Sequence, residues 1–191
     1  MEETLFEKLR KHAQTNEYAF HMPGHKGMAL LGMEQWDITE IQGADSLYEA
    51  DGIIRESEEN ASSLFGSHTF YSTEGSSQCI RAMLHLAKTQ AWMQKKHPYV
   101  WATRNVHKTF LSAVALLNFD VEWLYGDGES SLSCSLSPDD LEKRLQTATV
   151  LPSALYLTSP DYLGNVADIS AIAEVCHRYG VLLLVDCAHG A

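Results

Sequence analysis

Between residues 76 and 185, short apolar runs alternate with longer amphipathic stretches, and this alternation restricts the chain to one class of fold. Residues 99–102, 121–124, 154–157 and 181–185 have the length and the branched or aromatic content of strands. Residues 76–94, 107–117, 137–146 and 168–179 read as helices. In the first of these, Ile80, Met83, Leu84 and Ala87 fall on one face. Ser137-Pro138-Asp139-Asp140 is a helix start, with Ser as N-cap, Pro in the first turn and acids at the positive end of the helix dipole. Strands separated by helices build an α/β domain with a mostly parallel sheet flanked by helices. The unbroken apolar run 181–185 predicts a strand buried on both faces. A further short strand is expected at 67–71.

The first third reads differently. Leu5, Phe6, Leu9, His12 and Ala13 give residues 2–14 one apolar helical face. In His21-Met22-Pro23-Gly24-His25-Lys26-Gly27, one proline and two glycines exclude a helix interior or a central strand. Residues 37–52 are irregular, and a helix is expected from Ile53 to Gly66, with Gly66 as its C′ residue.

Composition removes several functions. A net charge of −11 and a pI near 5.2 exclude a general binder of nucleic acid or of anionic membranes. With 45% hydrophobic and 20% charged residues the chain suits a globular core. No apolar run reaches the ~18–20 residues of a membrane span, and the acidic start is unlike a signal peptide. Four cysteines without paired spacing point to reduced thiols and a cytoplasmic setting. There is no internal repeat, and 191 residues fit one domain or part of a larger one.

Ligands of parallel α/β sheets bind beyond the carboxyl ends of the strands, so the segments 72–77, 103–107, 158–162 and 186–189 are the candidate site. Ser72-Thr73-Glu74-Gly75-Ser76-Ser77 combines hydroxyls, a glycine and a helix start, a setting for a phosphate; the plain alternative is a Ser-rich N-cap. It is neither a Walker A loop nor a GxGxxG fingerprint. His107 stands at the mouth of the sheet, placed to stack on a flat cofactor or to handle protons, although a lone His is more often simply structural. Asp186 ends an apolar strand and calls for a cationic partner, the alternative being the N-cap of a following helix. His21 and His25, separated by Pro23-Gly24, do not make a metal site. The chain stops a few residues after Val185, on the rim of its own candidate site, so it is expected to be a fragment.

These blocks together resemble one family. His21-Met22-Pro23-Gly24-His25-Lys26-Gly27 is similar to the "MPGHKG" signature of the Orn/Lys/Arg decarboxylases, fold type I pyridoxal-phosphate enzymes. The likeness continues through Asp37-Ile38-Thr39-Glu40-Ile41, Gly43, Asp45, Leu47, Gly52-Ile53-Ile54, Ser57, Ala61 and Leu64-Phe65-Gly66. It resumes at Ser72-Thr73-Glu74-Gly75-Ser76, Arg104-Asn105-Val106-His107-Lys108, Thr158-Ser159-Pro160 with Tyr162 and Gly164, and Asp186-Cys187-Ala188-His189-Gly190. The resemblance implies an aspartate aminotransferase-like large domain, here incomplete. Residues 1–36 would be an N-terminal helix and active-site loop, and 37–191 the first part of the cofactor-binding domain.

It also implies roles. Ser72, Thr73, Gly75 and Ser76 would cradle the phosphate of pyridoxal 5′-phosphate, and His107 would stack on its ring. Asp186 would pair with the pyridinium nitrogen, and Ser159, Ala188 and His189 would lie beside the cofactor. His107, Asp186 and His189 are the expected catalytic residues, with no metal. The implied activity is decarboxylation of lysine, arginine or ornithine to a polyamine precursor and CO2, in a homodimer or higher homo-oligomer. The loop 23–27 and the region 43–45 would help complete the site. The alternatives are another fold type I reaction (aminotransferase or lyase) or a truncated non-catalytic binding protein. Asp161 stands where the family often has Thr, Cys187 where it often has Glu, and Glu74 is expected to point away from the phosphate. The lysine that bonds the cofactor, in a Ser-x-His-Lys segment of the family, is not reached by residue 191; Lys108 imitates it but sits in the block of the stacking His. The isolated chain is therefore expected to be inactive.

Overall fold

A computed structural model describes residues 3–15, 18–126 and 134–190. The chain separates into two compact units, Met1–Tyr71 and Ser72–Ala191.

The first unit holds two helices, α1 (Leu5–Ala13) and α2 (Ile53–Phe65), and two short 3-10 turns. A reciprocal capping box starts α1. The Thr4 N–H donates to Glu7 Oε2 at 2.8 Å, and the Glu7 N–H donates to Thr4 Oγ1 at 3.3 Å. Residue 2, expected in this helix, lies outside the described residues. The apolar face of α1 is only half covered, with Phe6 set edge-on to Trp36 at 5.6 Å. Helix α2 ends as expected, with Gly66 in the left-handed region at φ 65°.

The start of α2 shows a less usual device. Its N-cap, Gly52, has no side chain to offer, and the carboxylate of Asp45 stands in from seven residues upstream. Oδ2 accepts the N–H groups of Gly52, Ile54 and Arg55 at 2.9, 2.8 and 3.2 Å, while Oδ1 accepts those of Ser46 and Asp51 at 2.8 and 3.0 Å. Burial raises the Asp45 pKa, but the backbone donors of Asp51, Gly52, Arg55 and Ser46 outweigh it and hold the carboxyl well below the usual range. A carboxyl depressed in the folded state stabilises above its unfolded value of about 3.9, and the contribution is lost as pH falls below that toward the folded value. Asp45→Ala is therefore expected to cost about 2 kcal/mol at neutral pH. Urea unfolding should show the gap between wild type and variant narrowing from about pH 4 downward; a gap constant with pH would refute the assignment.

Residues 67–71 do not form the expected strand. Side chains of α2 take the donors that a strand would need: the Thr69 N–H goes to Ser62 Oγ at 2.9 Å and the Tyr71 N–H to the buried Glu58 Oε1 at 2.8 Å. The segment runs back along the helix instead.

The second unit is the predicted α/β layer. Strands β1 (Tyr99–Thr103), β2 (Asp120–Leu124), β3 (Ala154–Thr158) and β4 (Leu182–Asp186) form one sheet in the order β2-β1-β3-β4, parallel throughout. Helices α3 (Ser76–Met93) and α4 (Lys108–Leu117) cover one face. Ile80, Leu84, Ala87, Phe110 and Ala113 meet Val100, Ala102, Ala154, Tyr156 and Leu184 there. Helices α5 (Pro138–Thr147) and α6 (Ile169–Tyr179) cover the other face, over Trp101, Leu155 and Leu157. The two sets of strand residues alternate, as the pleat requires. Ser137 and Asp168 cap α5 and α6 by accepting the Asp140 and Ala171 N–H groups at 3.1 and 3.0 Å.

One expectation fails here. Strand β4 is not buried on both faces: it pairs only with β3 among the described strands, and Leu182, Leu183 and Val185 are half exposed. The doubly buried strands are β1 and β3, sealed from Val100 to Thr103 and from Ala154 to Leu157. An apolar run reports what a strand tolerates on its faces, whereas its rank in the sheet is set by pairing.

Candidate active site

All four strands run the same way, so their carboxyl ends share one edge of the sheet, and the loops leaving β1, β3 and β4 carry predicted site residues there. The segment leading into α3 joins them. Its Gly75 adopts φ 64°, ψ −162°, which L side chains rarely enter, and a Cβ built there meets nothing within 4 Å. The α3 N-terminus has no side-chain cap, so its first N–H groups remain available to an anion, with the hydroxyls of Ser72, Thr73, Ser76 and Ser77 around them. Ser72 Oγ is fixed by donating to Gln78 Oε1 at 2.6 Å. Glu74 is paired with Arg81, which offsets the carboxylate that would otherwise repel a phosphate.

His107 is the N-cap of α4 rather than its first residue. Thr109 sets its N–H at 3.3 Å and its hydroxyl at 3.0 Å from His107 Nδ1. A ring nitrogen that accepts a backbone N–H carries no proton, so the neutral ring is protonated on Nε2. Ser77 Oγ lies 3.1 Å from Thr109 Oγ1, which ties the start of α3 to the residue that aims the imidazole.

Asp186 closes β4 and is 6% exposed. Its Oδ1 accepts the Ala188 N–H at 3.2 Å and its Oδ2 accepts the Tyr156 hydroxyl at 2.9 Å. Its carbonyl accepts the Ser159 N–H at 3.0 Å, which places Ser159 beside it. No Lys, Arg or His pairs with this carboxylate among the described residues. A buried carboxylate without a cation is costly, and two accepted hydrogen bonds leave lone pairs for a further donor. His189 is exposed on the rim, edge-on to Tyr162 at 5.1 Å.

Asp161, in the loop after β3, is buried. Its carboxylate accepts the N–H groups of Leu163 and Asn165 at 2.8 and 2.9 Å and folds its own loop. Ser159 Oγ accepts the Ala167 N–H at 3.0 Å, keeping its own proton to donate.

Sequence reasoning missed Tyr156, the fully buried donor to Asp186, because that pair is thirty positions apart and is set by strand register. It placed Thr103, Asn105 and Thr158 in the candidate segments without giving any of them a role. These are buried polar groups at the ends of β1 and β3, with no partner for either Asn105 amide atom or for the two hydroxyl oxygens. Their signal was position, directly after apolar strands. Buried polar atoms left unpaired are few in folded proteins and mark places where a further polar group is wanted. A groove of about 1040 Å³ lies at the other end of the strands, along Tyr99, Asp120 and Arg144, and holds none of the predicted site residues.

His21, His25, Lys26, Gly43 and Asp45 belong to the first unit. There His25 Nδ1 accepts the Gly27 N–H at 3.0 Å, and Nε2 lies 3.1 Å from Asp37 Oδ2.

A four-stranded parallel sheet with helices on both faces is the fold of the large domain of fold type I pyridoxal-phosphate enzymes. The sequence profile described as "Orn/Lys/Arg decarboxylase, major domain" matches residues 3–191, and the chain belongs to this family. An arginine decarboxylase of Bacillus subtilis is 30% identical over 202 residues, covering 99% of this chain and 40% of that protein. An arginine decarboxylase of Halalkalibacterium halodurans is 32% identical, covering 97% of this chain and 39% of that one. The chain thus spans about two fifths of the length of the curated relatives it matches. Among solved structures, mouse CSAD in its apo form superposes with a TM-score of 0.55 at 21% identity, over 69% of this chain and 31% of that one. A SepCysS–SepCysE N-terminal domain complex gives 0.58 at 16%, over 75% and 38%.

The cofactor of the family is pyridoxal 5′-phosphate, and the residues present fit it. The α3 N-terminus and its hydroxyls suit the phosphate, Nε2-protonated His107 offers a flat ring, and Asp186 lacks only a cationic N–H partner.

Proposed function

We propose that this chain is the cofactor-binding part of a pyridoxal-phosphate-dependent decarboxylase of a basic amino acid. The observation that carries the reading is Asp186, a buried carboxylate with no cationic partner among the described residues, at the carboxyl edge of a parallel sheet. The family and the arginine decarboxylases similar to it support the same reading.

When bound, pyridoxal phosphate supplies a ring that accepts the electron pair left on the α-carbon as CO2 departs. Asp186 holds a proton on the ring nitrogen, keeping that acceptor charged. Ser72, Thr73, Gly75 and Ser76 bind the phosphate through the α3 N-terminus. His107 packs on the ring face and restricts its tilt. Ser159, Ala188 and His189 lie beside the cofactor, His189 from the exposed rim. A second copy of the chain, with the 23–27 loop and the 43–45 region, completes the site.

The test is carbon dioxide release from arginine, lysine and ornithine by the protein carrying this chain, loaded with pyridoxal phosphate. Release from one of the three is expected, with arginine tried first. A protein that binds the cofactor and converts an amino acid without releasing CO2 would overturn the decarboxylase assignment and leave a different fold type I reaction.

A further inference from the structure

We infer that Tyr156 is a positioning residue for Asp186, and that through Phe110 it locks the ring-nitrogen partner and the stacking imidazole into one rigid unit. The inference rests on the cofactor reading of the site. Tyr156 is fully buried, and its hydroxyl donates to Asp186 Oδ2 at 2.9 Å. In the parallel register Tyr156 pairs with Leu184, two residues before Asp186, so both side chains stand on the α3–α4 face of the sheet. The phenol cannot swing away, because its ring packs on Phe110 with centroids 4.5 Å apart and planes tilted by 45°. Phe110 is itself fully buried, sets its other side against Trp123 at 5.9 Å, and sends its N–H to the His107 carbonyl at 2.9 Å. The path from His107 to Asp186 is therefore two clamped aromatic rings with a hydrogen bond at each end.

The chemistry suits this role. Burial, followed by the Asp186 charge and the hydrogen bond to it, raises the pKa of the Tyr156 phenol, so it stays protonated and acts only as a donor. With Ala188 N–H on Oδ1 and Tyr156 on Oδ2, both carboxylate oxygens are held and the plane of the group is set before any ligand arrives. Without the phenol one oxygen loses its anchor, and the carboxylate is free to rotate about its last torsion.

Tyr156→Phe removes one oxygen from a sealed site. In the protein loaded with pyridoxal phosphate labelled with 15N in the ring, the ring-nitrogen resonance should move toward the unprotonated position. The dissociation constant for the cofactor should rise about tenfold, and kcat should fall about 10- to 100-fold with KM within twofold. Phe110→Leu, which loosens the ring clamp and keeps every polar group, should move the nitrogen signal the same way by less. It decides the matter should Tyr156→Phe not fold. An unshifted nitrogen signal in the folded Tyr156→Phe protein, or in Phe110→Leu where only that variant folds, overturns the positioning role if Asp186→Asn does shift the signal. An unshifted signal in Asp186→Asn as well, or a wild-type protein that does not bind pyridoxal phosphate, overturns the cofactor reading itself.

Discussion

Asp186→Ala is expected to lower carbon dioxide release at least about a thousandfold, equivalent to a barrier rise of about 4 kcal/mol. The ring nitrogen of the cofactor would then face an apolar methyl and lose its proton, and a neutral ring is a poor acceptor of the electron pair. The same substitution strands the buried Tyr156 hydroxyl, whose hydrogen bond among the described residues goes to Asp186. A buried donor left unpaired costs about 1–3 kcal/mol, so the alanine variant should also unfold at lower urea. Asp186→Asn separates the two effects. Its single oxygen still accepts the Ala188 N–H, and the amide N–H that replaces the other oxygen can donate to the Tyr156 hydroxyl oxygen. The group carries no charge, so the variant should be nearly as inactive as the alanine variant and more stable than it. Turnover within tenfold of wild type in the asparagine variant would refute the role given to the carboxylate.

The second large effect is expected at His107. His107→Ala should weaken binding of pyridoxal phosphate about tenfold through lost stacking and slow turnover further through loss of ring orientation. It also removes the cap of α4, since His107 Nδ1 accepts the Thr109 N–H, at a cost of about 1 kcal/mol. His107→Asn restores a cap acceptor without restoring a flat aromatic ring. Stability should therefore recover in the asparagine variant while cofactor affinity stays low. Recovery of both would make His107 a cap and nothing more.

These two residues show how far the sequence could be read. The placement of His107 and Asp186 at the carboxyl edge of the sheet was legible because one follows and the other ends an apolar strand. The caps Ser137 and Gly66 were legible for the same local reason, since each acts within a few residues of itself. The 67–71 segment misled because its donors are taken by Ser62 and Glu58 of α2, and no periodicity records such a claim. Strand β4 misled because five apolar residues look the same whether a strand pairs on one side, as β4 does among the described strands, or on both.

From its own residues, then, the chain declared an α/β layer, the direction of its strands and the places where polar chemistry follows them. Each of these depends on contacts within a single helix turn or strand, or on a connection long enough to hold a crossover helix. Only the folded sheet decided which polar residues meet. The register that sets Tyr156 two residues behind Asp186, the ring of Phe110 that clamps it, and the carboxylate of Asp45 that caps a helix seven residues away all depend on distance in space. Neither hydropathy period nor motif spacing encodes that distance.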